Sequence, residues 1–459
     1  MKIVILGAGQ VGRTAAYHLS REEANDVTVV DRDEAVLRDL QGRLDIRTVA
    51  GNASYPTVLE SAGVADAEVL IALTNSDEVN MLACEVAYTL YRTPTKIARI
   101  RSAEYTASPK LFSNEALSVD VWISPEQLVT DYIHRIIEHP GSLQVLDFAE
   151  GQVRLVGVKA YEGSALVGQA LRTLPEHMPG IETRVAAIFR QGSAVMPEGN
   201  TVIEAEDEVF FVAARKNTRA IVSELRKLDR MVKRLIIAGG GHIGARLAQA
   251  LEERFQVKVI ERNPETGRSL CERLSRAIVL QGDAADENLL RQENIEHVDV
   301  FCAVTNDDEA NILSAMLAKR MGARKVMALI NRVSYVELVE SSGIIDIAIS
   351  PQQATIGSLL THVRRGDVAK VHSLRRGAAE AIEAVAHGDY KTSKVVGRRV
   401  EEIRLPPGTT IGAIARGDEV IICHHDTMIE SEDHVILFLV DKKRVPEVER
   451  LFAVGATFL

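Results

Sequence analysis

Short uninterrupted runs of aliphatic and β-branched residues recur along the first part of the chain, at 3–6, 27–30, 47–50, 69–73, 96–100 and 119–123. Continuous apolar runs of this length fit strands of a parallel sheet covered on both faces. Helical patterns separate them. Their counterpart near residue 245 places Ile243, Leu247 and Leu251 at i, i+4 and i+8, one buried stripe. Six strands alternating with helices predict a doubly wound α/β domain. Ser124-Pro125 then supplies an N-cap and a first-turn proline. The helix it opens is expected to run to about residue 138 and to end at His139-Pro140-Gly141. Shorter alternating runs at 153–158, 184–190 and 209–213, set apart by Gly and Pro, predict a small α+β module.

The pattern then repeats. KIVILGAGQVG near the start returns as RLIIAGGGHIG, with Gly7 and Gly239 offset by 232 residues. Thr74-Asn75 returns as Thr305-Asn306, an offset of 231, and Ser124-Pro125 as Ser350-Pro351, an offset of 226. A slowly shrinking offset fits duplication of one unit followed by loss of loop residues. The second Ser-Pro signal is followed by Ile356, Leu359, Leu360 and Val363, another apolar stripe. The expected organisation is two Rossmann-like doubly wound parallel sheets, each followed by a small α+β domain. The boundaries are 1–123, a connector helix 124–140, 141–226, then 227–349, a connector helix 350–371, and 372–459. The charged stretch 227–233 joins the halves. The apolar faces of the connector helices are expected to be exposed and to serve assembly.

Candidate chemistry sits in the repeated glycines. Gly7-Ala8-Gly9-Gln10-Val11-Gly12 follows a strand and opens a helix, and Gly239-Gly240-Gly241-His242-Ile243-Gly244 does the same. The first glycine permits the tight turn, the second lets a pyrophosphate approach the backbone, and the third lets helix and strand pack closely. Asp31 lies 24 residues after Gly7 and Glu261 lies 22 after Gly239, each at the end of the next strand, where an acid bonds ribose hydroxyls. Such an acid repels a 2′-phosphate and favours NAD(H) over NADP(H), although Arg32 and Arg262 soften that preference. It reads ribose and not nicotinamide, so ATP and ADP also fit. Ligands lie at the carboxyl ends of parallel strands. Asn52 and Asp283, after the third strand of each sheet, are therefore candidates for the adenine side. Thr74-Asn75 and Thr305-Asn306 are candidates for ribose or phosphate, or for capping the helices that follow. Arg99, with Leu329 as its counterpart, is a candidate phosphate partner.

Composition narrows the function. Lys and Arg number 54 and Asp and Glu 64, a net charge of −10, which argues against a general nucleic-acid partner. Aromatics are 4% of the chain, too few for stacking platforms. No apolar run approaches the roughly 18 residues that cross a bilayer. Met1-Lys2 leads straight into a strand with no secretory pattern, so the chain reads as cytoplasmic. Cys84, Cys271, Cys302 and Cys423 form no CxxC and read as reduced, buried thiols. A hydride-transfer enzyme needs an acid or base beside its cofactor. The sequence offers no Tyr-x-x-x-Lys, no metal cluster and no nucleophile motif, and its histidines do not recur between the halves. Two nucleotide sites without catalytic groups read as a sensor.

Gly7 to Gly12 with Asp31, Gly51-Asn52-Ala53-Ser54, Thr74-Asn75-Ser76-Asp77, the run 97–101 and Ser124-Pro125 together resemble the domain that regulates potassium conductance (RCK, or KTN). The tandem order resembles the members that serve bacterial potassium uptake, over nearly all of the chain. The resemblance implies a non-enzymatic subunit that binds NAD(H) and often ATP or ADP. It implies a tetrameric ring beneath a TrkH-like membrane potassium-translocating subunit, peripheral on the inner face of the cell membrane. By position it implies contacts from Gly7 to Val11, Asp31, Thr74-Asn75 and Arg99, and from Gly239 to Ile243, Glu261 and Thr305-Asn306. Asn52 stands where that family often has Asp, as at Asp283. The sensor of a different transporter, and an oxidoreductase with a concealed second site, stand as alternatives.

Overall fold

The computed structural model describes residues 1–21, 25–225, 231–363, 368–374, 379–441 and 444–453. The first parallel sheet contains β1 (Lys2–Leu6), β2 (Asp26–Asp31), β3 (Arg47–Ala50), β4 (Val69–Ala72), β5 (Thr95–Arg99) and β6 (Val121–Ile123). The antiparallel module after it contains β7 (Ser142–Phe148), β8 (Val153–Lys159), β9 (Thr183–Arg190), β10 (Ser193–Val195) and β11 (Glu208–Ala214). The second parallel sheet follows with β12 (Arg234–Ala238), β13 (Gln256–Glu261), β14 (Ile278–Gln281), β15 (Val300–Ala303), β16 (Lys325–Leu329) and β17 (Ile347–Ile349). The last module holds β18 (Val368–Leu374), β19 (Ala379–Ala386), β20 (Thr409–Arg416), β21 (Glu419–Ile422) and β22 (Asp433–Leu439).

The parallel sheets run in the order β3-β2-β1-β4-β5-β6 and β14-β13-β12-β15-β16-β17, the two-winged order whose direction reverses at the central strand. The antiparallel sheets share a second order, β7-β8-β11-β9-β10 and β18-β19-β22-β20-β21. The duplication is therefore complete in topology. One boundary shifts: residues 368–371, expected in the second connector, already belong to β18. Of the charged junction 227–233, residues 227–230 lie outside the described residues.

Strand residues alternate between faces, so each sheet has two apolar sides to cover. Ile3, Ile5, Val27, Val29, Ile71 and Ile97 face one side of the first sheet. Val4, Leu6, Leu70, Ala72 and Ala98 face the other. Helix Gln10–Leu19 covers part of the first side. The rest of its cover comes from the other half of the chain. Ile356, Leu359, Leu360 and Val363 of the second connector helix, Pro351–Val363, pack into this core. In return, Val129, Ile133, Ile136 and Ile137 of the first connector, Pro125–Glu138, pack with Leu235 and Ile237 of the second sheet and with Leu247 and Leu251 of the helix His242–Leu251 that covers it.

The connectors are thus exchanged between the halves, and the expectation of exposed assembly faces on them is wrong. A stripe in a sequence announces that a face will be buried but does not name its partner. Fully burying one such side chain contributes about 1.5–3 kcal/mol, so eight of them clasp the halves firmly. The antiparallel sheets also meet: Phe148, Leu155, Phe189 and Phe210 share a core with Leu374, Ala413, Ile436 and Phe438.

Three cysteines match the expectation of burial, and burial pushes the Cys84, Cys302 and Cys423 thiols up to about 12. Cys271 is exposed, contrary to it. Among the described residues no helix is long and apolar enough to cross a membrane.

Candidate functional site

Each glycine loop lies where its sheet changes direction, at the carboxyl end of β1 or β12. Gly7 takes φ +99° and Gly239 φ +104°, a turn that side-chain-bearing residues resist. Each loop ends in a helix, Gln10–Leu19 or His242–Leu251, with Gly9 or Gly241 as N-cap and no side-chain cap on its N–H groups. The neighbouring helices Glu34–Gln41 and Pro264–Arg273 are capped by Asp33 and Asn263 side chains. A Cβ built on Gly9 or Gly241 meets nothing within 4 Å, whereas one on Gly12 falls 1.9 Å from the Gly7 carbonyl oxygen, and one on Gly244 falls 1.9 Å from that of Gly239. So the last glycine is required for packing, and the middle one leaves room that the protein itself does not use. Gly9, Gln10, Gly241 and His242 are exposed, while Ala8 and Gly240 are buried beneath them. Val11 is buried and Ile243 half-buried, tying each helix start to the core.

The acids close these loops from below. The Ala8 N–H donates to Asp31 Oδ2 at 2.6 Å, and the Asp33 N–H donates to Oδ1 at 2.9 Å. In the second half the Gly240 N–H donates to Glu261 Oε2 at 2.6 Å, and the Asn263 N–H to Oε1 at 2.7 Å. One longer carboxylate thus reproduces the geometry of a shorter one. Each oxygen keeps a lone pair for a ribose hydroxyl. Arg32 is exposed just beyond Asp31.

The other predicted residues divide. Asn52 turns back on its own loop, accepting from the Ser54 N–H at 3.2 Å, and Asp283 accepts from the Ala285 N–H at 2.9 Å. Thr74 and Thr305 spend their hydroxyls locally, donating to Asn80 Oδ1 and to Asn311 Oδ1, each at 2.7 Å. Those asparagines are fully buried and also reach the next strand, donating to the carbonyls of Arg99 and Leu329 at 2.9 Å. Asn75 and Asn306 remain exposed on the rim. Sequence reasoning missed Asn80 and Asn311. The signal was there, in TNSDEVN at 74–80 and TNDDEAN at 305–311. Asp77 and Asp308 in the same motif are buried and accept from the backbone N–H groups of Arg101 and Arg332, each at 2.8 Å.

Arg99, the candidate phosphate partner, is tied to the first connector. Its Nη2 donates to Glu126 Oε1 at 3.1 Å, at the first turn of the first connector. The second half replaces both members together, with Leu329 and Gln352. Arg99→Leu alone should strand the Glu126 carboxylate and lower stability by about 1.5–3 kcal/mol. Adding Glu126→Gln should recover most of it, and the thermal midpoints of the single and double variants measure the difference. Freed from that role, Gln352 donates to Gln10 Oε1 at 3.1 Å and to the Asn331 carbonyl at 2.6 Å. The exchanged helix therefore touches the first glycine loop itself. From the second loop's helix, Arg246 reaches back to Ser124 Oγ at 3.3 Å and to the carbonyl of Arg101 at 2.5 Å.

This arrangement, twice over, is matched by known proteins. The TrkA-N domain matches residues 3–125 and 235–351, and the TrkA-C domain residues 155–226 and 390–453. The chain belongs to the TrkA family. It is 64% identical over 458 residues to the Trk system potassium uptake protein TrkA of Halomonas elongata and 60% identical over 460 residues to that of Vibrio alginolyticus, covering 100% of each chain in both cases. The fold is similar to the RCK domain of GsuK, with TM-score 0.62 and 18% identity, over 98% of this chain and 94% of that one. It is similar too to a GsuK channel bound to NAD, with TM-score 0.61 and 19% identity, over 98% of this chain and 78% of that one. This TrkA-family chain is accordingly a regulatory subunit of potassium uptake with a nucleotide-binding fold.

Proposed function

We propose that the chain senses NAD(H), and ATP or ADP in the same crevices, and gates a membrane potassium-translocating subunit. It works from the cytoplasmic side, held to the membrane by that partner. The observation that carries this reading is the unused space over Gly9 and Gly241, bracketed by Asp31 and Glu261. A pyrophosphate over the uncapped helix start meets backbone N–H groups and the positive end of the helix dipole. The ribose hydroxyls then fall to the carboxylates, with Asn52, Asp283 and the asparagines at 75 and 306 on the rim.

Occupancy has a mechanical route outward. The first loop contacts the second connector through Gln10 and Gln352, and that connector packs on the first sheet and leads into the last antiparallel module. A ligand that prefers one setting of this clasp shifts the population toward it. The subunits associate as a tetramer. The equivalent helices Asp77–Tyr91 and Asp308–Arg320 support association, since they leave Leu82 and Leu313 50% and 63% exposed.

Potassium flux through the membrane partner, reconstituted with the chain in vesicles, is expected to respond to added nucleotide. The response should vanish with Gly9→Val/Gly241→Val, and NADH should not be consumed. Flux indifferent to the chain, or co-purification with an unrelated transporter only, would overturn the gating reading. Steady NADH oxidation lost in Asp31→Ala would make the protein an oxidoreductase instead.

A further inference from the structure

The two connector helices cross, and beside the crossing lies a cavity of about 720 Å³. It is walled by both connectors, by the opening strands of both antiparallel modules and by the amino-terminal edge of the second parallel sheet. No residue of either glycine loop lines it. A space of this size accommodates a small organic ligand.

Its lining carries basic side chains with buried nitrogens that find no acceptor among the described residues. Arg135, from the first connector, buries its Nε with no acceptor among the described residues. His372, on β18, buries its Nε2 in the same condition. Lys370, two residues before it, makes a long contact of 3.4 Å to the carbonyl of Asp147. Burial, with Arg135 and Lys370 beside it, holds the His372 imidazole down at about 4. The cavity's aspartates are engaged: Asp299 pairs with Arg324 at 3.4 Å and Asp346 with Lys319 at 2.7 Å. A buried guanidinium nitrogen without an acceptor is costly to keep.

The duplication shows that these charges are not needed to build the fold. The strand at 142–148 aligns with that at 368–374, so Lys370 and His372 stand where the first half has Gln144 and Leu146. Gln144 and Leu146 line the same cavity, so only one of its two equivalent strands carries basic side chains there.

We propose that this cavity binds a phosphorylated small molecule, held by Arg135 from one half of the chain and by Lys370 and His372 from the other. Such a ligand bridges the first connector and the last module, so it acts on the clasp at a point distinct from the glycine loops.

The test uses the full chain carrying Gly9→Val/Gly241→Val, which removes the loops as competing sites. Calorimetric titration is made with pyrophosphate, ADP and glucose 6-phosphate. At least one is expected to bind saturably, one per chain, and to lose about tenfold or more in affinity with Arg135→Gln and with Lys370→Gln. Which probe binds tells bare phosphate, nucleotide and sugar phosphate apart. Lys370→Gln copies the residue of the first half, so it decides the matter should Arg135→Gln fail to fold. No binding by any probe, or binding unchanged in a folded variant, would refute the site.

Discussion

Valine in place of Gly9 is expected to abolish nucleotide binding at the first loop while leaving the fold intact. The N-cap backbone there is extended, with φ −67° and ψ −174°, so a β-branched residue is conformationally acceptable. A Cβ at that position meets no protein atom within 4 Å, so folding gives it no opposition. The same atoms occupy the space that a pyrophosphate needs against the backbone. Affinity for NADH at that loop should fall by at least about a hundredfold, or about 2.8 kcal/mol. Calorimetry in a Gly241→Val background isolates the first loop, and an unchanged thermal midpoint shows that the scaffold survived. Tight binding retained in the double variant would mean that the ligand sits elsewhere. Gly12→Ala is the contrasting control, because its added methyl strikes the Gly7 carbonyl and the damage falls on folding.

The second large effect belongs to stability. Asp207 is wholly buried and takes two parallel hydrogen bonds from Arg190, Nε to Oδ1 and Nη2 to Oδ2, each at 2.9 Å. The Glu204 N–H adds a third at 2.9 Å. Asp433 and Arg416 repeat the device in the last module at 2.8 Å, with the Glu430 N–H at 2.7 Å. Asp207→Ala leaves the Arg190 guanidinium with only the exposed Glu204 carboxylate and the Val202 carbonyl, and a turn without its anchor, at a cost of about 3–5 kcal/mol. Asp433→Ala should cost a similar amount. Thermal melts and proteolytic nicking of the affected module measure both. Arg190→Met/Asp207→Ala removes the stranded charge and should return part of the loss. Wild-type stability in either single variant would show that these pairs are dispensable.

Much of this molecule could be read from local chemistry. The strands of the parallel sheets, the loops and the acids beneath them follow from short-range patterns: an apolar run, a glycine spacing, a carboxylate one strand on. The repeat made each signal more specific by presenting it twice. What escaped were pairings between distant positions. Arg99 gave no sign of Glu126 until the first turn of the connector folded beside it. Thr74 and Thr305 carried hydroxyls suited to a ligand, but buried asparagines six residues on claimed them first. The connectors displayed apolar stripes with no hint that the second sheet would receive the first helix and the first sheet the second.

That reciprocal loan has a consequence for any attempt to work with half the gene. A product ending near residue 225 would lack Ile356, Leu359, Leu360 and Val363, leaving an oily flank on its first sheet. It would also carry a homeless helix ending in Ile136 and Ile137. The simplest remedy is for two such fragments to embrace, each lending the other its arm, and a truncated product that stays in solution should sediment as a pair.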